Sequence, residues 1–213
     1  MVNYIILGAG GFGQELGEYL HDCLREGVLN GEFAGYLDDT IPAGSLVKTG
    51  GRVLGTFATK MAIKEYKFLI GLGDPETRSR VFEEYKAKGA TFETLIHPSA
   101  YKSSSGIISE GGILCPFSFL GSCSFMEQNC LVNIYSSVGH DCHIGSHCVM
   151  SPYATINGHV TLKSQVFLGT KAIVTKGYKL GTNSKISAAS VVYNDVPDNA
   201  IAFGNPARMK NLA

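Results

Sequence analysis

The chain has no apolar stretch approaching the roughly 20 residues that a helix needs to cross a bilayer, so no membrane span is expected. Its opening, MVNYIILGAGGFG, lacks a basic n-region and a small-residue cleavage site; no signal peptide is expected, and the sequence reads as cytoplasmic. Charge of either sign is in short supply: eighteen basic and eighteen acidic residues among 213 give a formal net charge of zero. There is no basic patch for nucleic acid and no charged block of the kind that marks a disordered tail. Six cysteines are present, yet no two stand in a CxxC spacing, and without a secretory signal they are expected to be reduced structural thiols.

Beyond residue 100 the familiar patterns are missing too. An amphipathic helix repeats every 3.6 residues and a half-buried strand every two. Here an aliphatic residue or Met recurs every sixth position instead, from Ile108, Leu114, Leu120 and Met126 to Ile186 and Val192, fifteen times without exception. Such residues make up roughly a quarter of the chain, so an accidental run has odds on the order of one in a billion, and a fixed period marks a repeat architecture. Four residues after each, the side chain is nearly always small, as at Ser118, Ser124, Cys130, Ser136, Cys142 and Cys148. The pattern suits a triangular coil with three short flat sides, each hexad giving one side and one corner. Fifteen hexads make five coils of eighteen residues, a left-handed parallel β-helix.

The first hundred residues follow another grammar. Tyr4–Leu7 reads as a strand closed by Gly8-Ala9-Gly10-Gly11-Phe12-Gly13, followed by an amphipathic stretch from Gln14 to about Leu24. Further strands are predicted at Phe33–Leu37, ending in Asp38-Asp39, at Phe68–Ile70, and at Thr91–Ile96, with a helix over Glu76–Lys88. Alternating strands and helices imply a parallel, Rossmann-like α/β sheet. The joint is placed near His97-Pro98, giving a nucleotide-sugar-binding domain over 1–98 and a β-helix domain over 99–213. Gly8-x-Gly10-x-x-Gly13 stands where a dinucleotide fingerprint belongs, with Asp38 and Asp39 positioned to meet a ribose. A lone mononucleotide-binding half tied to a β-helix argues against an NAD enzyme and for a nucleotide diphosphate or its sugar conjugate, although the glycines alone would also serve a tight turn.

The hexad grammar resembles the hexapeptide acyltransferases, trimers of left-handed β-helices that use acetyl-CoA. Joined to GAGGFG, YLDD and IGLGDPETR, it is similar over essentially the whole chain to the bacterial nucleotide-sugar acetyltransferases of bacillosamine and perosamine synthesis and their sialic-acid O-acetyltransferase relatives. The most specific motif is Val138-Gly139-His140-Asp141-Cys142-His143-Ile144-Gly145, supported by Gly204-Asn205-Pro206-Ala207-Arg208-Met209. The resemblance implies His140 as catalytic base and Asp141 as its modulator. It implies Asn133 near the acceptor sugar and Gly10, Gly11, Asp38 and Asp39 around the nucleotide. It also implies a homotrimer with acetyl-CoA in the groove between subunits, lined by Gly158 and Ala188, with Arg208 toward its phosphates. Where some relatives carry a His nine residues after the base, this chain has Val149, so that contact is not carried over.

Coil geometry adds to this. His140 and Asp141 are the third and fourth residues of their hexad, hence at a corner and facing outward. Residues eighteen apart stack at about 4.8 Å, placing Asp141 beneath His159 and His140 beneath Gly158. A sugar amine, mostly ammonium at neutral pH, must lose a proton before attacking a thioester, and histidine suits that work. A zinc site like that of β-helix carbonic anhydrases would need a His where Gly145 stands and another where Ser122 stands, so no metal is expected. The expected reaction is acetylation of a nucleotide-linked amino sugar; O-acetylation of a sialic acid or other sugar, and a non-catalytic nucleotide-sugar-binding trimer, remain open. The base of the nucleotide, UDP, GDP or dTDP, is not readable.

Overall fold

A computed structural model describes residues 2–211. Each hexad puts two residues in a flat side, and the next coil pairs with it in parallel at a register of eighteen: Leu120 with Val138, Met126 with Ile144, Val132 with Met150. The sides stack into three sheets, of six, five and eight strands. We call them the first, second and third faces, represented by Ser137–Val138, His143–Ile144 and Val149–Met150. Every repeated aliphatic residue from Leu114 to Val192 points inward and is at most 1% exposed. Each such burial is worth about 1.5–3 kcal/mol, so these three stacked columns, one per face, supply most of the core of the coil.

The small slot has a second reason beyond size. It lies just inside each corner, and its hydroxyl or thiol donates to a corner carbonyl of the next coil: Ser124 to Gly139, Cys130 to Gly145, Ser136 to Ser151, Cys142 to Asn157. All six thiols are free, and five are buried. The residue before that slot makes the turn. From Phe117 to Lys171 every one of these residues, Asp141 and His159 among them, has φ between +54° and +63°. This left-handed conformation costs a non-glycine residue about 1–2 kcal/mol. Pairing the corner N–H with the coil below offsets it, as in Asp141 N–H to Ser122 O at 2.9 Å and His159 N–H to His140 O at 2.9 Å.

The N-terminal region forms a parallel five-stranded sheet. Its elements are β1 (Asn3–Leu7), α1 (Gly11–Arg25), β2 (Glu32–Leu37), β3 (Val53–Gly55), β4 (Tyr66–Ile70), α2 (Pro75–Ala87) and β5 (Thr91–Phe92), and the strand order is β3-β2-β1-β4-β5. Two details depart from the sequence reading. Strand β3 was not anticipated, and the single strand expected over Thr91–Ile96 divides. Thr91–Phe92 pairs with β4, whereas Leu95–Ile96 pairs with Ile113–Leu114 as the first rung of the third face. The coil therefore starts before the continuous hexads, and Lys102 occupies an inward slot near this end. Its ammonium donates to the carbonyls of Ser103 and Gly106 at 3.1 and 2.7 Å.

The N-terminal sheet region packs on the third face. Leu95, Ile113, Leu131 and Val149 project outward from that face into one cluster with Leu16, Leu20 and Cys23 of α1. Among the described residues, no helix is long and apolar enough to cross a membrane.

Candidate active site

His140 and Asp141 stand at the corner between the first and second faces, the vertex opposite the covered third face. Adjacent corner positions bring their side chains together: His140 Nδ1 lies 2.6 Å from Asp141 Oδ2. The His140 hydrogen bond, with the charges of His159 and Lys176, holds the Asp141 carboxyl below the usual carboxylate range. An ionised carboxylate only accepts, so Nδ1 carries the proton, and in the neutral imidazole the lone pair is on Nε2. One coil on, Gly158 lies against this ring; a Cβ there would come 2.5 Å from Nε2. His159 meets His140 edge to face, with centroids 5.0 Å apart, and its Nε2 is 4.0 Å from Asp141 Oδ2. The stacking expected from an eighteen-residue coil is thus present in detail.

His140, Asp141 and His159 could also face a metal ion, since one ligand atom from each lies within 4.8 Å of the others. The short Nδ1–Oδ2 bond occupies one nitrogen of His140 and one oxygen of Asp141.

A second centre lies in the N-terminal sheet region. A cavity of about 380 Å³ is lined by Gly10 and Gly11 on one side and by Gly71, Leu72 and Gly73 on the other, with Asp38, Asp39, Thr40 and Phe57 at its edge. Gly8 has φ +104°, and a Cβ on Gly13 would collide with the carbonyl oxygen of Gly8, so these two glycines let the loop fold onto its own strand. Gly10 and Gly11 have open space above them. Helix α1 begins here with no side-chain cap and no acidic residue in its first turn, leaving its N–H groups for an anion.

The two aspartates divide their work. Asp38 is nearly buried; its Oδ2 accepts from Ala9 N–H at 2.7 Å, and its Oδ1 accepts from Thr40 N–H, Thr40 Oγ1 and Ile41 N–H at 2.7–2.9 Å. Burial pushes its pKa up, but these bonds prevail and hold it below the usual range. Asp38 thus builds the loop. Asp39 is exposed, with Oδ1 accepting from Phe57 N–H at 2.8 Å.

The remaining expected residues fall elsewhere. Asn133 and Ala188 share the corner between the third and first faces, and Asn133 Oδ1 accepts from Ile134 N–H at 2.7 Å. Ile134 beside it packs into the cluster formed with the N-terminal sheet region. Gly158 joins His140, whereas Arg208 is exposed on the C-terminal strand Arg208–Asn211. Val149 is buried beneath the N-terminal sheet region, on a different face from His140. Thr40 and Phe57 went unread as pocket residues. For Phe57 the signal was Val53-Leu54-Gly55, a three-residue strand too short to stand out between glycines and polar residues.

Comparison with known proteins bears on both centres. Residues 3–85 match the PglD N-terminal domain family, and residues 124–158 match the bacterial transferase hexapeptide (six repeats) family. A GDP-perosamine N-acetyltransferase of Escherichia coli O157:H7 is 30% identical over 212 residues, covering 96% of this chain and 95% of the relative. The acetyltransferase domain of PglB from Neisseria gonorrhoeae superposes with TM-score 0.89 at 25% identity, covering 98% of this chain and 99% of that one. PerB from Caulobacter crescentus, solved with CoA and GDP-perosamine, superposes with TM-score 0.87 at 25% identity, covering 99% and 98%.

Proposed function

Because the chain belongs to the PglD-like, hexapeptide-repeat family of acetyl-CoA-dependent sugar N-acetyltransferases, we propose that His140 is the general base with which it acetylates a nucleotide-linked amino sugar. The observation that carries this reading is the His140 Nδ1–Asp141 Oδ2 bond at an exposed corner, which leaves Nε2 as the nitrogen free to take a proton.

In the reaction, Nε2 takes a proton from the sugar amine as its nitrogen attacks the acetyl carbonyl. The tetrahedral intermediate collapses, the C–S bond breaks, and the proton passes to the departing CoA sulfur. Asp141 keeps the imidazole oriented and stabilises the imidazolium. The nucleotide diphosphate binds between Gly10–Gly11 and Gly71–Gly73 against the first turn of α1, with Asp39 free to meet a hydroxyl.

Pocket and base lie on opposite sides of one coil, so the base serving a pocket comes from a neighbouring subunit of a homotrimer. Two exposed aromatic ladders support such an interface. Tyr101 stacks on Phe119, and Phe117, Tyr135 and Tyr153 stack in series, at ring separations of 5.0 Å. Apolar exposure on that scale marks an association surface. Acetyl-CoA lies in the inter-subunit groove, past Gly158 of one chain and Ala188 of another, with Arg208 toward its phosphates and Asn133 near the acceptor sugar. Both substrates are cytosolic metabolites, so the enzyme works in the cytoplasm.

The test is thiol release from acetyl-CoA with GDP-perosamine, other UDP-, GDP- and dTDP-linked amino sugars, and free sialic acid. Turnover on a nucleotide-linked amino sugar, reduced about 10²–10⁴-fold in folded His140→Ala, is expected. Turnover on sialic acid alone would replace the N-acetyl reading by the O-acetyl one, and near-normal turnover in the variant would remove His140 as base.

A further inference from the structure

Next to the nucleotide pocket lies a charge that this reaction does not use. Arg78, in the first turn of α2, is fully buried, and its hydrogen-bond partners are all neutral. Nη1 donates to the carbonyls of Ile70 and Leu72, both at 2.8 Å. Nη2 donates to Asn129 Oδ1 at 2.9 Å and to Asn129 O at 3.3 Å, while Nε has no partner among the described residues. Asn129 returns a bond from Nδ2 to Arg78 O at 3.1 Å and meets His147 Nδ1 at 2.9 Å. Burial pushes the guanidinium pKa down to about 10, so it remains a cation at neutral pH. A buried ion without a counter-charge is costly. A helix that needed only to pack would be served better by an aliphatic residue.

Two observations connect Arg78 to the chemistry. The carbonyls held by Nη1 flank Gly71, and Gly71, Leu72 and Gly73 form one wall of the pocket. At its two ends that wall has no side chain, and Gly71 meets the first loop backbone to backbone, a Cβ on it coming 2.6 Å from Gly13 Cα, so hydrogen bonds to its carbonyls help to fix it. At its other end Arg78 grips Asn129, which belongs to the same eighteen-residue coil as His140. A rotation relating subunits about an axis along the coils leaves every residue at its own height. A pocket served by a neighbour's base must therefore dock at the level of the coil that bears the base.

We propose that Arg78 is a positioning residue for the acceptor: it clamps the pocket wall from Ile70 to Leu72 and, through Asn129, sets that pocket at the height of His140. The inference rests on the acetyltransferase reading above. Its test compares wild type, Arg78→Lys and Asn129→Gly in steady-state kinetics with acetyl-CoA and GDP-perosamine, beside calorimetric titration with GDP. Lysine keeps the charge but cannot bridge both carbonyls and Asn129. Glycine retains the φ of +54° at position 129 and removes only the amide.

Arg78→Lys should raise the Kd for GDP and the KM for the acceptor about tenfold or more, leaving the KM for acetyl-CoA within about twofold. In Asn129→Gly the wall stays clamped by Nη1, so GDP binding should hold within about twofold while kcat per GDP-binding site falls about tenfold or more. Misfolding alone lowers the number of sites and moves neither KM nor kcat per site. An Arg78→Lys enzyme with unchanged GDP affinity and acceptor KM would overturn the proposal, as would an Asn129→Gly enzyme with wild-type kcat per site. If Arg78→Lys does not fold, the Asn129→Gly result decides. Wild-type protein that neither binds GDP nor acetylates any nucleotide-linked amino sugar would overturn the acetyltransferase reading itself, a failure visible before any variant is made.

Discussion

Replacing Gly158 with alanine probes the proposed base, His140, without substituting it. The backbone there is outside the left-handed region, so alanine adds no backbone strain. What it adds is a Cβ 2.5 Å from His140 Nε2 and 2.6 Å from Cε1, where ordinary contact begins at 3.4 Å. The imidazole must withdraw by about 1 Å, and its 2.6 Å bond to Asp141 has to stretch or swing with it. Misplacement by ~1 Å can cost about 10²-fold in rate. That equals ~2.7 kcal/mol of transition-state stabilisation.

Stability should respond differently, because the His140 side chain is 55% exposed and can swing into solvent. Surface changes of this kind stay within about 0.5 kcal/mol, so the melting temperature should barely move. The assay is thiol release at saturating acetyl-CoA and acceptor, with the KM for acetyl-CoA measured alongside. A kcat within threefold of wild type would refute the reasoning. A raised KM for acetyl-CoA at unchanged kcat would assign Gly158 to the wall of the CoA groove instead.

Three further expectations can be checked independently. Asp38→Asn sets an amide N–H against a backbone N–H in either orientation, because both carboxylate oxygens accept from backbone donors; urea unfolding should show a loss of about 1–3 kcal/mol. Since the folded pKa of Asp38 lies below the unfolded one, its contribution is complete above about pH 5 and is lost as pH falls through the folded value, so the variant should unfold in acid with a shallower slope. At the corner residue Lys171, φ is +59°, a cost lysine already bears; β-branched valine, for which positive φ is a genuine outlier, should lower stability further and asparagine should not, as read from thermal melts. Finally, if the proposed trimeric site is right, His140→Ala mixed with Gly11→Glu, which puts a negative charge at the proposed diphosphate site, should regain about a quarter of wild-type turnover after subunit exchange, because intact pockets then meet intact neighbouring bases. No recovery between two inactive, folded parents would argue that each chain completes its own site.

The coil was legible because its constraint is periodic. Inward aliphatics from Leu114 to Val192, the small slot at Ser124 or Cys142, and the stacking of Asp141 under His159 all follow from a count of six and eighteen. The N-terminal sheet region was legible only where its elements are long enough to show a period. Val53–Gly55 is three residues, and the end of β5 and the first rung at Leu95–Ile96 are separated by only Glu93 and Thr94. Arg78 was hidden by its charge rather than by its spacing. Positions 78, 81, 82 and 85 form one helical stripe, and the last three are Val81, Phe82 and Tyr85, all buried. A cation heading that stripe reads as a solvated helix end until its carbonyl partners are seen. Asp38 poses the same difficulty, since sequence places a carboxylate at the strand end without saying whether its oxygens face a ligand or the loop.

These two kinds of legibility explain how the site is divided. On the coil, the distance between corner side chains is set by strand spacing, so two residues eighteen apart meet whatever their chemistry; identity alone makes the corner of His140 and Asp141, with His159 stacked beside it, the proposed catalytic one. In the N-terminal sheet region nothing repeats, and the pocket depends on particular bonds from Asp38 to Ala9 and from Arg78 to Leu72. In the proposed mechanism the chemistry rests on the rigid, periodic element and the recognition on the bonded, irregular one. A change of acceptor should therefore be obtained by altering the loops around Asp39, Phe57 and Leu72, with the corner at His140 left as it is.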